Sequence, residues 1–262
     1  MNSINNVERF RQRMRDGKIC VGTGVTVTDP LVSEVMAQAG SDFIWIETEH
    51  SHLDLPAVMG HIMAVRGTQA APLVRVPWND PVLIKPVLDI GADGIIVPMV
   101  STAEEAAKAV AACRYPPDGI RGFGPLRPLN YGRLDAAQFV QDANDSILTI
   151  VQIEQAEAVA NIDEILAVPG LNSIAFGPQD LSASMGYRTQ PRHPEVLKAI
   201  ETVIEKARKV NIPVGISVGS DPDELCAWVD MGIQWITFGV DVMLMVQAAN
   251  DVAGKVRAHV GK

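Results

Sequence analysis

Several absences narrow what this chain can be. No Pro/Gly/Ser-rich linker, charge block or low-complexity tract interrupts the 262 residues, so residues 1–262 read as a single domain. Basic excess is missing. The net charge is −9, which argues against a nucleic-acid surface. No apolar run reaches the length of a membrane span, and no signal-peptide pattern opens the chain. The expected setting is therefore cytoplasmic, with no membrane partner. Cysteine is scarce. Cys20, Cys113 and Cys226 are odd in number and far apart, so buried reduced thiols are expected rather than a disulfide framework. No G-x-G-x-x-G follows the first apolar run, which weakens a dinucleotide-binding reading.

Lysine is missing where one chemistry would need it. Lys18, Lys85, Lys108, Lys198, Lys206, Lys209, Lys255 and Lys262 fall in predicted helices, in the lead-in to the first strand or at a terminus. A Schiff-base mechanism needs a desolvated lysine inside the fold. With none there, electrophilic work on a carbonyl would fall to a metal ion and arginine.

What is present is regular. Short apolar runs at 19–25, 42–46, 71–76, 94–98, 147–153, 173–176, 212–217 and 235–238 have the length and branched residues of buried parallel strands. Each is followed by a helix-like stretch. Asp29-Pro30 and Asp80-Pro81 give an N-cap followed by proline. Eight such units fit a (β/α)8 TIM barrel, whose usual length is ~250 residues. A doubly wound open sheet is the alternative. The first 18 residues, with arginine at 9, 11, 13 and 15, read as a solvated first helix. Residues 115–145 read as a long irregular segment, which in a compact domain usually has a function.

In a barrel the chemistry gathers at the carboxyl ends of the strands. The run 147–153 meets Glu154 at once, and 173–176 reaches Asp180 through Gly177-Pro178-Gln179. If these strands are neighbours, two carboxylates converge, and that calls for a cation or a shared proton. An oxygen-only set favours Mg²⁺ or Mn²⁺ over zinc. The other candidates by position are Glu47, Glu49 and His50 after the second strand, Arg75 on the third, Gln152 on the fifth, and Gly239 and Asp241 after the eighth. Each has a plainer alternative. Acids after strands commonly start helices, Asp180 could cap a helix over 181–185, and Arg75 could form a structural ion pair. His52, His61, His193 and His259 read as surface or packing residues.

The motifs taken together resemble the HpcH/HpaI aldolase family, the metal-dependent pyruvate aldolases. The resemblance spans nearly the whole chain. It is carried by Ile44-Trp45-Ile46-Glu47-Thr48-Glu49-His50, Val74-Arg75-Val76, the run Gly94 to Val100, the run Arg114 to Gly122, Val151-Gln152-Ile153-Glu154 and Phe176-Gly177-Pro178-Gln179-Asp180. It implies divalent-metal-dependent, reversible aldol cleavage of 4-hydroxy-2-oxo acids to pyruvate and an aldehyde, through a pyruvate enolate that the metal stabilises. Mg²⁺ or Mn²⁺ is the expected ion, with Co²⁺ possible. Decarboxylation of oxaloacetate, or a related enolate-forming lyase reaction on the same site, is the alternative.

The resemblance also assigns roles. Glu154 and Asp180 match the metal ligands, and Gln152 matches a residue that arranges them. The Gly177-Pro178-Gln179-Asp180 turn matches the substrate-carboxylate site, with the backbone N–H groups of Gln179 and Asp180 as donors. Arg75 matches the arginine beside the keto oxygen, His50 the acid–base histidine, and Glu49 an acid near the metal waters. Glu47 stands where the family commonly has an aspartate paired with that histidine. The segment 123–131 varies within the family. A homohexamer with the C-terminal helix exchanged between subunits is implied, and small 2-oxo acids and aldehydes are the implied partners.

Overall fold

The computed structural model describes residues 6–260. Eight parallel strands close into a barrel in chain order: β1 (Cys20–Val25), β2 (Phe43–Glu47), β3 (Ala71–Arg75), β4 (Gly94–Val97), β5 (Leu148–Ile153), β6 (Ser173–Phe176), β7 (Val214–Ser217) and β8 (Trp235–Val240). β8 pairs with β1 to complete the ring. The expected (β/α)8 architecture is therefore the one found. Strand limits differ from the sequence reading by one or two residues at half of the sixteen ends. β7 starts at Val214, with residues 212–213 between it and the turn at 210–211 that ends α10.

A helix α1 (Val7–Arg15) precedes the barrel. Around the barrel lie α2 (Leu31–Gln38), α3 (Leu55–Ala64), α4 (Pro81–Asp89), α5 (Ala103–Cys113), α6 (Ala136–Ser146), α7 (Ala156–Ala160), α8 (Ile162–Leu166), α9 (Pro178–Ser184), α10 (Pro194–Lys209), α11 (Pro222–Met231) and α12 (Asp241–Val260). Side-chain caps start several of them. Asp80 accepts from the Val82 N–H at 2.7 Å, and Asp221 accepts from the Glu224 N–H at 2.9 Å. Thr102 and Glu105 form a full capping box on α5.

Strand residues alternate between two cores. One set, including Ile44, Ile46, Val74, Val97 and Ile153, packs outward against the helices. The other, including Phe43, Trp45, Leu73, Ile150 and Trp235, fills the barrel interior. Gly215 makes room for one of the large interior rings, since a Cβ there would lie 1.9 Å from Trp235.

Three expectations are corrected here. α1 is not simply solvated: Val7, Phe10 and Met14 are buried against the interior core, with Phe10 edge-on to Phe43 at 5.5 Å between ring centres. The helix closes the N-terminal end of the barrel. Residues 1–5 of that stretch, and Lys262, lie outside the described residues. The segment 115–145 is not irregular throughout, because α6 occupies its last third, capped by Asp135 on the Gln138 N–H at 2.8 Å. Its loop part lies at the N-terminal end of the barrel. Arg121 pairs with Asp89 at the end of α4 at 2.8 Å, and Arg127 donates to the Ile90 carbonyl at 2.9 Å. Cys226 is exposed on α11, whereas Cys20 and Cys113 are buried.

Candidate active site at the C-terminal mouth of the barrel

The strand ends bring the candidate residues to one mouth. Glu47 ends β2 and Arg75 ends β3, and the two are register partners. Gln152 sits on β5, with Glu154 just past its end. β5 pairs directly with β6, so the turn Gly177-Pro178 follows alongside Glu154. The sequence expectation that the fifth and sixth strands are neighbours holds.

A continuous line of polar contacts crosses the mouth. Glu47 Oε2 accepts from Arg75 Nε at 2.6 Å and from Trp45 Nε1 at 3.2 Å. Arg75 Nη1 donates to Gln152 Oε1 at 3.4 Å. Gln152 Nε2 donates to Glu154 Oε2 at 3.2 Å. The Met99 N–H donates to Glu154 Oε1 at 2.6 Å. Arg75 Nη1 also stands 3.0 Å from Glu49 Oε2. Its guanidinium lies 5.5 Å from the Trp45 ring centre, so cation–π attraction adds to the ion pairs.

Glu47 has a further task. Its Oε1 accepts from the backbone N–H groups of Glu49 at 2.7 Å and His50 at 2.9 Å. The acid three positions before His50 therefore holds the histidine's backbone, not its imidazole. The imidazole is mostly exposed, with Nε2 3.8 Å from Glu49 Oε2. The longer glutamate folds back under the 48–51 turn while keeping its other oxygen for Arg75.

Gly177 leaves the space that Glu154 fills. A Cβ at that position would lie 2.3 Å from Glu154 Oε2. Pro178 is the first residue of α9, and the first intrahelical bond runs from the Leu181 N–H to the Gly177 carbonyl at 2.9 Å. The N–H groups of Gln179 and Asp180 thus belong to the open first turn. Asp180 is exposed there and makes no capping bond, and the helix begins before it instead of at 181.

Electrostatics mark this mouth as short of positive charge. Burial pushes Glu154 up to about 7, opposed by the Met99 N–H and reinforced by Glu49 and Asp180. Burial also raises Glu49, with Arg75 and His50 opposing and Glu47 and Asp180 adding to the rise. Glu49 Oε2, though near Arg75, has no hydrogen bond of good geometry. Clustered carboxylates that raise one another fit a hard divalent cation, which would restore their ionised forms. Among the described residues, no three His, Cys, Asp or Glu side chains are close enough to cage a metal. An ion on Glu154 and Asp180 would take its remaining oxygens from substrate and water, as Mg²⁺ commonly does.

Some contributors carry no signal in sequence. Met99 acts through its N–H and sits at φ 56°, a left-handed conformation rare for a side-chain-bearing residue. Gln155 braces it, with Nε2 3.7 Å from Met99 Sδ and Oε1 accepting from Ser101 Oγ at 3.0 Å. Trp45 was visible only as part of a motif. Asp241, a positional candidate, has its oxygens engaged by Thr26 N and Oγ1, both at 2.8 Å, and by the Val27 N–H at 3.0 Å. It ties the exit of β1 to the start of α12. His61 is buried and pairs through Nδ1 with Ser33 Oγ at 2.8 Å, and His193 caps α10, so both are structural.

The family model for HpcH/HpaI aldolase/citrate lyase matches residues 25–248. A Pseudomonas aeruginosa protein named hydroxypyruvate/pyruvate aldolase is 36% identical, over 95% of this chain and 92% of its own. A Klebsiella pneumoniae protein named 4-hydroxy-2-oxo-heptane-1,7-dioate aldolase is 37% identical, over 96% of this chain and 94% of its own. The crystal structure of an HpcH/HpaI aldolase/citrate lyase family protein from Burkholderia cenocepacia J2315 superposes with a TM-score of 0.89. It is 32% identical, and the match covers 95% of this chain and 99% of that one.

Proposed function

The chain belongs to the HpcH/HpaI aldolase/citrate lyase family and is a carbon–carbon lyase of the aldolase type, and on that premise we propose that it cleaves 4-hydroxy-2-oxo acids reversibly to pyruvate and an aldehyde. Residues 1–262 would serve as one aldolase domain. The observation that carries the reading is the line Glu47–Arg75–Gln152–Glu154 across the mouth, with Asp180 beside its end. A fixed cation linked through Gln152 to Glu154 supports a site where negative charge develops on an enolate oxygen.

In this reading Glu154 and Asp180 hold a divalent ion, Mg²⁺ or Mn²⁺ before Co²⁺. When bound, it would supply Lewis-acid polarisation of the 2-oxo acid and neutralise negative charge. Gln152 keeps Glu154 turned toward the mouth. The Gln179 and Asp180 N–H groups receive the substrate carboxylate, with Gly177 and Pro178 shaping the approach. His50, whose Nε2 lies 3.8 Å from Glu49 Oε2, takes the proton from the 4-hydroxyl group. The C3–C4 bond then breaks, its electron pair passes into the pyruvate enolate, and the aldehyde departs. Arg75, held by Glu47 and Glu49, faces the oxygen that gains charge. A proton returned to C3 completes pyruvate.

We place the enzyme in the cytoplasm as a homo-oligomer, hexameric by the family resemblance, with α12 exchanged between neighbours. Supporting this, Val242, Met243, Met245 and Val246 on α12 are exposed in the single chain. Among the described residues no helix is long and apolar enough to cross a membrane.

The test is exchange of pyruvate methyl protons in deuterated water, followed with and without divalent ion. Exchange should need the ion, and borohydride added with pyruvate should leave the enzyme active. Ion-independent exchange, or a borohydride-trapped adduct, would overturn the metal reading.

A further inference from the structure

At the other end of the barrel, α1 and the turns leading into β5–β8 enclose a cavity of about 600 Å³. That volume lies in the range of small-molecule sites. Its polar lining is Arg11, Arg15, Arg208, Asn172, Asn211 and Gln234, and the rest is mostly apolar. No carboxylate side chain lines it among the described residues, in a chain whose net charge is −9. Leu148, the first residue of β5, lines this cavity, whereas Glu154 follows the last. Six strand residues at ~3.3 Å each put the two ends about 20 Å apart.

Arg15 already has partners on α1, since its Nη2 pairs with Glu8 Oε1 and donates to Gln12 Oε1 at 2.8 Å, whereas Arg11 keeps an unpartnered donor. Arg11 Nη1 donates to the Asp145 carbonyl at 2.7 Å, but its buried Nη2 has no partner. Burial holds the Arg11 guanidinium below its ordinary pKa. Arg15 and Arg114 add to that, while Glu8 and Asp145 oppose it. Both amide side chains have already given up their oxygens. Gln234 Oε1 accepts from the Val214 N–H at 3.1 Å, and Asn172 Oδ1 accepts from the Thr149 N–H at 2.8 Å. Their NH2 ends are what remain to bind a ligand. Gly232, at φ 116°, admits Arg208 to the rim, since a Cβ there would lie 2.6 Å from Arg208 Nη2.

We propose that this cavity binds a small, multiply charged anion through its arginines and side-chain amides, at a site separate from the catalytic mouth. Phosphate and carboxylate groups share the required chemistry, with charged oxygens that accept from guanidinium forks.

The experiment is calorimetric titration of the metal-loaded protein, with saturating pyruvate occupying the catalytic mouth. Inorganic phosphate and succinate are titrated in separate arms. Saturable one-to-one binding is expected in at least one arm, with Kd about 1 mM or tighter. Phosphate alone, succinate alone or both would each support the site and name the recognised group. Arg208→Gln should weaken binding roughly tenfold or more, as loss of a charge-assisted hydrogen bond does. Arg208 is exposed, so this variant should fold, and thermal unfolding checks it. Arg15→Gln should weaken binding in the same direction, with the KM for pyruvate unchanged in both variants. Failure of both anions to saturate, or wild-type binding in Arg208→Gln and Arg15→Gln, overturns the proposal.

Discussion

Glu47 and Arg75 face each other across β2 and β3: Arg75 Nε donates to Glu47 Oε2 at 2.6 Å, and Nη2 stands 2.5 Å from the same oxygen as an ion pair. The other oxygen of Glu47 holds the turn that carries Glu49 and His50. One buried acid therefore fixes the cation and the acid–base turn together. The guanidinium is oriented before any substrate arrives, which is how preorganised charge lowers a barrier.

The first prediction follows from that double duty. Arg75→Ala should slow aldol cleavage by roughly 10²–10³-fold, as for loss of one oxyanion donor. It should slow deuterium exchange into pyruvate in parallel, because both reactions share the enolate. Stability should fall as well, by about 3–5 kcal/mol, since Glu47 is left buried without its partner. Arg75→Lys should recover part of each loss, because a point ammonium cannot replace the fork. Exchange at the wild-type rate in folded Arg75→Ala would make the arginine purely structural.

A second prediction concerns Gly177. The Cβ of Gly177→Ala would land on Glu154 Oε2, at 2.3 Å, so the carboxylate must turn away. The backbone φ of −106° suits alanine, and the damage should stay local. The Mg²⁺ or Mn²⁺ concentration for half-maximal activity should rise by roughly 10–100-fold, the usual effect of disturbing the support of a metal ligand. Metal titration by activity and by calorimetry measures it. An unchanged activation constant would remove Glu154 from the ion.

Much of this arrangement could be read from the chain, and the rest is hidden for identifiable reasons. β5 runs straight into Glu154 and β6 reaches Asp180 through Gly177-Pro178-Gln179, so the apolar runs put both acids beyond neighbouring strand ends. The pairing of Glu47 with Arg75 needs the strand register, which periodicity does not give. Met99 contributes a backbone N–H, and no side-chain pattern points to one. α6 carries little apolar periodicity in sequence, because only Ala143 and Asn144 on it are buried. On α1, the apolar spacing of Val7, Phe10 and Met14 was masked by arginines at every second position between 9 and 15.

The third prediction is an assembly. Over its 20 residues α12 buries only Asp241, while Met243 is 62% exposed and Val246 61%. Such a surface calls for a partner. Light scattering at micromolar protein should give a mass well above 28.2 kDa. Met243→Glu combined with Val246→Glu should shift the protein toward monomer without unfolding the barrel. A wild-type monomer would rule out helix exchange.

The last prediction concerns pH and the opposite end of the barrel. Asp93 is fully buried beneath α1, where its Oδ2 accepts from the Asn6 N–H at 2.7 Å. Burial pushes its pKa up to about 8, against the Asn6 and Val7 N–H groups and Arg127, which favour the charged form. The folded protein then keeps a proton that the unfolded chain releases near pH 4. Between those values the native state binds more protons, so stability falls as pH rises, by up to ~1.4 kcal/mol per pH unit. The loss is complete once pH passes the folded pKa. Asp93→Asn is neutral at every pH and can still accept from the Asn6 N–H. Its amide NH2 adds a constant offset, because Asp93 Oδ1 has no partner to offer it. An offset does not change the slope. Urea midpoints measured from pH 5 to 8 should therefore fall less steeply with pH in Asp93→Asn than in wild type. Parallel curves would mean that Asp93 is ionised in the folded protein, and that the N–H groups at the start of α1 outweigh its burial.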